Sequence, residues 1–464
     1  MDIFFKFKKI VIVTTLLMSI TLYSCMDGGD GLSSADTSER SDIVVITSSS
    51  QQDQNTLLER SQEIVDIDDL STLVSAINSF GIELYKELTK KNENISISPY
   101  STSISLAATS AAANGDTLQE ILSTLHFDFN HDRVHALFNY LDLTITRNGN
   151  DKNRTPLRSI QSAWGQEGYC IYLDFYNQLS NYYGIVIKGC DFSDAPEDAR
   201  NIINLGINEH FLINFSDSAG TLTRYTRLVL MNLISFDATW DIPFNQELTH
   251  EADFFKKDYT HVSTPFMSQT GIFNYAKDDG VQVVEIPFEG GRFSALLILP
   301  DALIFHEFEN ELDILEIERM MSVLEPEHVQ LEIPSFFLDC TCFIKDLLKN
   351  MGITTALIED TADFSRANDE DNLYIKNVRS QTKHRVNEAG WVGESSTVVN
   401  FESIYDIPYS AGGYEILGGA TFLPPFIGTQ PPINVTFDHP FLYVVRDLNS
   451  GAILFIGRVM DPTV

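Results

Sequence analysis

Apolar and polar positions divide the chain into stretches with different periods. Over 69–90 apolar residues recur at three- and four-residue spacing, which predicts an amphipathic helix. Residues 101–125, rich in Ala, Leu and Ser, predict a buried helix. Residues 228–236 form an unbroken apolar run, the pattern of a strand covered on both faces, as does Ala295 to Leu299 before Pro300. Val329 to Ile333 alternates, which predicts a half-buried strand. Phe441 to Val445 and Ala452 to Val459 predict two more strands joined by Asn449-Ser450-Gly451. The class implied is α+β, with no short repeat.

The first 68 residues follow another rule. Lys6, Lys8 and Lys9 precede an apolar run from Ile10 to Leu22, the layout of an export signal. Leu22-Tyr23-Ser24-Cys25 resembles the bacterial lipoprotein cleavage box, which implies a signal peptide over 1–24 and a lipid on Cys25. Such a lipid gains roughly 0.8 kcal/mol of membrane affinity per buried methylene. Ser, Asp, Gly, Gln and Thr dominate after it, so 25–68 is expected to be a disordered tether and 69–464 the folded domain. The expected location is the bacterial cell surface (outer membrane) or outside the cell. No internal apolar run is long enough to span a bilayer.

With 31 Lys and Arg against 65 Asp and Glu, the net charge is −34, which excludes nucleic acid as a partner. The chain contains no HExxH, GxSxG or phosphate loop, so no catalytic residue is assigned. No cofactor or metal is implied either. His131 and His135, four apart, read as a solvated helix face, and no CxxC pair exists. Cys170, Cys190, Cys340 and Cys342 are expected to be buried thiols or to form one incidental bridge, with Cys340 and Cys342 on the same side of a strand.

An ordered series of short motifs then becomes informative. Asn94-Ile95-Ser96-Ile97-Ser98-Pro99-Tyr100-Ser101 resembles the segment that opens the second helix of serpins. Asn114-Gly115-Asp116-Thr117 with Glu120-Ile121 is similar to the family's next motif. Asn232, Trp240, Pro243 and Phe244, residues 262–275, Glu332-Ile333-Pro334-Ser335-Phe336, residues 348–353, Phe437-Asp438-His439-Pro440-Phe441 and residues 451–462 continue the resemblance in family order. It implies helices packed around a large central mixed sheet plus two smaller sheets, with an exposed reactive loop at about 388–432. The implied activity is inhibition of serine, and also cysteine, endopeptidases. A protease cleaves the loop, and the cut loop enters the sheet as a strand and traps the acylated protease. The alternative is a non-inhibitory binding or scaffold protein, cleaved as a plain substrate.

The same resemblance assigns Ser98, Ser101, Asn232 and Trp240 to the region where the sheet opens. It assigns Glu388, Gly390, Trp391, Gly393, Ser395 and Thr397 to the loop hinge. Counting from Glu388 puts the reactive bond at Ile404–Tyr405, and counting back from Pro431-Pro432 puts it at Gly428–Thr429, because the loop carries roughly two dozen extra residues. An apolar residue before the bond implies elastase- or chymotrypsin-like targets, acting on a monomeric inhibitor.

Two departures from the family pattern stand out. Strand alternation puts Trp391 on the inward face with Gly393, Ser395 and Thr397, where its bulk is expected to slow insertion, and leaves Glu394 pointing outward. Residues 201–212 lack the family's Trp and Thr-x-Gly.

Overall fold

The structure, a computed structural model, describes residues 43–47, 60–146, 156–369, 372–403 and 431–463. In chain order it begins with β1 (Ile43–Val45), α1 (Ile67–Leu88), β2 (Ile95–Ile97), α2 (Pro99–Ser110), α3 (Gly115–Thr124), α4 (His131–Thr146), β3 (Leu157–Gln166), β4 (Cys170–Tyr172) and α5 (Leu173–Tyr183). Next come β5 (Ile187–Cys190), α6 (Pro196–Asn208), β6 (Thr226–Thr239), β7 (His250–Phe255), β8 (His261–Asp278), β9 (Val281–Pro287), β10 (Phe293–Pro300), α7 (Phe305–Glu311) and α8 (Ile314–Ser322). The last are β11 (Glu325–Pro334), β12 (Phe336–Phe343), α9 (Lys345–Met351), β13 (Tyr374–Val386), β14 (Gly390–Glu402), β15 (Ile433–Thr436), β16 (Phe441–Asp447) and β17 (Ile453–Val459).

Six strands make the central sheet, in the order β12-β13-β14-β6-β3-β5, antiparallel except for the β3–β5 pair. The apolar run at 228–236 lies inside β6, which is covered on both faces. A second sheet runs β15-β11-β8-β9-β10-β16-β17-β2, with β7 also paired to β8. The core lies between the two sheets and under α1 and α2. The α+β class with helices around a large mixed sheet is therefore observed.

Several expectations are corrected. The single helix expected over 101–125 is two helices, parted at Ala111–Asn114, with Gly115 at φ 51°, a left-handed conformation that glycine adopts without strain. His131 and His135 do not form a solvated face. His135 is fully buried against Tyr183, whose hydroxyl lies 2.6 Å from Nδ1, and desolvation holds its pKa well below the usual histidine value. Of the two alternatives for the cysteines the structure has the free thiols, with Cys190 and Cys340 buried and Cys170 and Cys342 half-buried, and burial raises the pKa of Cys190 and Cys340 to about 12 and that of Cys342 to about 11.

The span expected to be a tether is also packed in places. β1 pairs antiparallel with β4, Ile46 is buried beside Gly165, and Arg60 pairs at 2.5 Å with buried Asp142. Tyr100 donates to the same carboxylate at 2.7 Å. Cys25 lies outside the described residues. Arg60→Ala leaves Asp142 with an uncompensated charge. It is expected to lower stability by about 3 kcal/mol, read from urea midpoints, whereas a slack tether would give no change.

Candidate functional site

The site is built on the hinge and on the slot it occupies. Asn387 closes the turn from β13 into β14. Its Oδ1 accepts from the amides of Ala389 (3.0 Å) and Gly390 (3.3 Å). Glu388 is held by the Thr249 hydroxyl at 2.7 Å, and its carbonyl accepts from Phe244 at 2.9 Å. The chain then runs straight into the middle of the sheet. β14 keeps a continuous antiparallel register with β13 from Trp391 to Asn400, and with β6 from Gly390 to Phe401. Residues 388–403, expected within an exposed loop, thus form a turn and a buried strand. The reason is backbone pairing, because β13 and β6 both offer full ladders to the strand between them.

Two glycines make this approach possible. A Cβ on Gly390 would sit 2.1 Å from the Ala238 carbonyl oxygen, and one on Gly393 2.9 Å from Nδ1 of His384. Between them Trp391 is buried in a slot large enough for its ring. Its ring lies 5.0 Å from that of Tyr443, 5.6 Å from Phe336 and 6.2 Å from Trp240 in edge and tilted contacts. Its indole Nε1–H donates to Nδ1 of His384 at 2.9 Å. An indole can only donate, so Nδ1 must accept and the His384 proton sits on Nε2, facing the Ser96 hydroxyl at 2.7 Å. Burial holds the His384 pKa down at about 3, so the ring is neutral. Sequence reading missed His384, whose only signal is that it stands opposite Gly393 across β13 and β14.

The residues assigned to the sheet-opening region surround this strand. Ser98 caps α2, accepting from the Ser101 amide at 3.1 Å, and the Ser101 hydroxyl donates to Thr397 Oγ1 at 3.0 Å. Asn232 is the register partner of Thr397 on β6. Trp240 stacks on Phe288 at 4.8 Å and donates from Nε1 to the Asn387 carbonyl at 2.9 Å. Ser395 is buried on the face of Gly393 and Thr397, and its hydroxyl has no partner among the described residues.

The opposite face of β14 is not outward. Glu394 is fully buried, its two oxygens accepting from the amides of Leu212 (2.5 Å) and Ile213 (2.7 Å). Desolvation raises its pKa to about 7 although the two amides oppose this. Both assignments of the reactive bond, Ile404–Tyr405 and Gly428–Thr429, lie outside the described residues. Among the described residues no group of three or more His, Cys, Asp or Glu stands together as a metal site.

Residues 75–462 match the family model described as serpin (serine protease inhibitor). An uncharacterized serpin-like protein of Thermococcus kodakarensis is 31% identical, over 84% of this chain and 86% of its own. The leukocyte elastase inhibitor of Homo sapiens is 27% identical, over 85% of this chain and 100% of its own. Among solved structures, a loop-inserted cleaved ovalbumin mutant superposes with a TM-score of 0.72 at 22% identity, over 84% of this chain and 100% of its own.

Two outcomes follow for the slot. Trp391→Thr is expected to destabilise the fold by about 3–5 kcal/mol, because the vacated slot is walled by rigid rings. A stability equal to wild type, measured by guanidinium unfolding, would contradict this. In the unfolded chain His384 takes a proton below about pH 6.5, whereas in the fold it does so only near 3. Its contribution is therefore full above pH 6.5 and lost as pH falls toward 3. His384→Gln should show a smaller drop in urea midpoint between pH 7 and 4 than wild type.

Proposed function

Because the chain belongs to the serpin family, we propose that it is a one-use inhibitor of serine endopeptidases, held at the cell surface by a lipid on Cys25. The observation that carries this reading is the seating of residues 390–402 as a full central strand, paired on both sides. In this reading that strand is the end state of the trap. The loop starts outside the sheet, and a protease hydroxyl attacks the carbonyl of Ile404. An ester forms while the amine of Tyr405 departs. The cut strand then enters between β13 and β6 before water can hydrolyse the ester.

Insertion is driven by ladder hydrogen bonds, each contributing about 1 kcal/mol net, and by burial of Trp391, Val399 and Phe401. The slot around Trp391 supports a strand able to seat completely from its first residue. An apolar Ile404 before the bond fits elastase- or chymotrypsin-like proteases, in keeping with the relative named as an elastase inhibitor. A cationic protease would also be steered by the chain's net charge of −34.

A second reading is favoured by a different feature. The strand buries Glu394, Ser396, Asn400 and Glu402, and each polar group must shed water on entry, which slows insertion. Slow insertion would make the chain a plain substrate. Mixing the full chain with a neutrophil-type elastase and with chymotrypsin decides between the readings. A denaturant-resistant complex, with the protease esterified to Ile404 in mass spectra, is expected. Cleavage with full recovery of active protease would reject the trap.

A further inference from the structure

Glu394, expected to point outward, and the exit of α6, which with that helix departs from the family pattern over 201–212, meet in space. The connection from α6 to β6, residues 209–225, crosses the outer face of the central sheet. It is fixed at its own end by side chains of α6. Asn208 bonds the backbone N and O of Phe215 at 2.7 and 2.8 Å, and Asn204 Oδ1 accepts from Ser218 and Ala219 at 2.9 Å each. Along β14 the side chains of residues 394, 398, 400 and 402 reach this strap. Glu394 accepts from Leu212 and Ile213, and Val398 packs with Phe211, Phe215 and Leu222. Asn400 Nδ2 donates to the Ala219 carbonyl at 3.1 Å. Glu402 accepts from the Thr223 hydroxyl at 2.5 Å and pairs with Lys376 at 2.9 Å.

We propose that the 209–225 strap is a clamp that reads the inserted strand, with Glu394, Asn400 and Glu402 as its positioning residues, and that closing it couples insertion to uptake of a proton. This rests on the loop-insertion reading. The charged groups that face Glu394 are Arg158 of β3 and the register partner of Glu394, Lys383 of β13, which is paired with Asp339 of β12; His210 of the strap feels Arg158 and Lys188. The Ser235 hydroxyl of β6 lies 3.4 Å away. Arg158 favours the charged carboxyl, but burial outweighs it.

The sign follows from the two states. Outside the sheet Glu394 titrates as an ordinary carboxyl, and seated it holds its proton to about pH 7. Seating is therefore most favourable below about pH 4.5 and weakens as pH rises to about 7, by roughly two powers of ten. Above that range the penalty is constant, and the two amides hold the carboxylate.

The test uses the full chain, both intact and nicked by chymotrypsin within 404–430. Unfolding rates in guanidinium are measured from pH 4.5 to 8 for wild type, Glu394→Gln and Asn400→Ala. Glu394→Gln should lose the roughly 100-fold change in unfolding rate that wild type shows between pH 4.5 and 8, at a pH-independent cost for the one amide that its NH2 cannot accept from. Hydrogen exchange of the 209–215 amides should quicken at least about tenfold in Glu394→Ala, with β6 unchanged. Asn400→Ala should loosen 216–222 alone. Identical pH profiles for wild type and Glu394→Gln would overturn the proton coupling, and unchanged exchange in the strap would overturn the clamp. A nicked chain that fails to hold any protease leaves both readouts intact, so the trap and the clamp fail separately.

Discussion

The whole arrangement depends on the backbone pairing of the space between β13 and β6. Both strands are long, buried and antiparallel to whatever lies between them, and an unpaired buried amide costs about 1–3 kcal/mol. A strand of thirteen residues fills that space here and pairs with both neighbours. Everything else about the hinge follows from letting one particular sequence occupy it. Gly390 and Gly393 allow close approach, Asn387 turns the chain, and the rings around Trp391 take up its bulk.

The strand meets a different environment on each face. Its odd-numbered side chains enter an aromatic and hydroxyl-lined interior, from Trp391 through Thr397 to Phe401 against Phe364. Its even-numbered ones meet the connection after α6. The chain therefore has to satisfy a hydrogen-bonding requirement on the side that a half-exposed strand would leave to water. That explains why carboxylates and an amide recur at alternate positions rather than small apolar residues.

The ordered motifs and the long apolar runs made the fold legible, because a strand such as β6 is apolar at nearly every position and a capped helix such as α2 opens with Ser-Pro. The break inside 101–125 was not legible, since Ala-rich sequence propagates a helix on paper and only the left-handed Gly115 stops it. At the site, the hinge positions could be named but their outcome could not. Trp391 reads as overpacking until Phe336, His384 and Tyr443, drawn from three other strands, are seen to form its slot. Glu394 reads as solvated because the residues that cover it are 181 and 182 positions away. The packed stretches at 43–47 and 60–66 escaped notice because the first is one short apolar island, Ile43 to Ile46, in a long polar span, and the second is anchored by a single side chain, Arg60.

The indole in the hinge has a spectroscopic consequence. Only three tryptophans exist in the chain, and Trp164 and Trp240 belong to strands or strand ends of the permanent core. If the strand enters the sheet as proposed, Trp391 passes into a dry pocket with a neutral imidazole on its N–H, and Trp240 at the edge of that pocket gains a ring neighbour. In that proposal the Trp391 emission shifts to the blue as the strand docks, which would make it an intrinsic optical clock for the rearrangement.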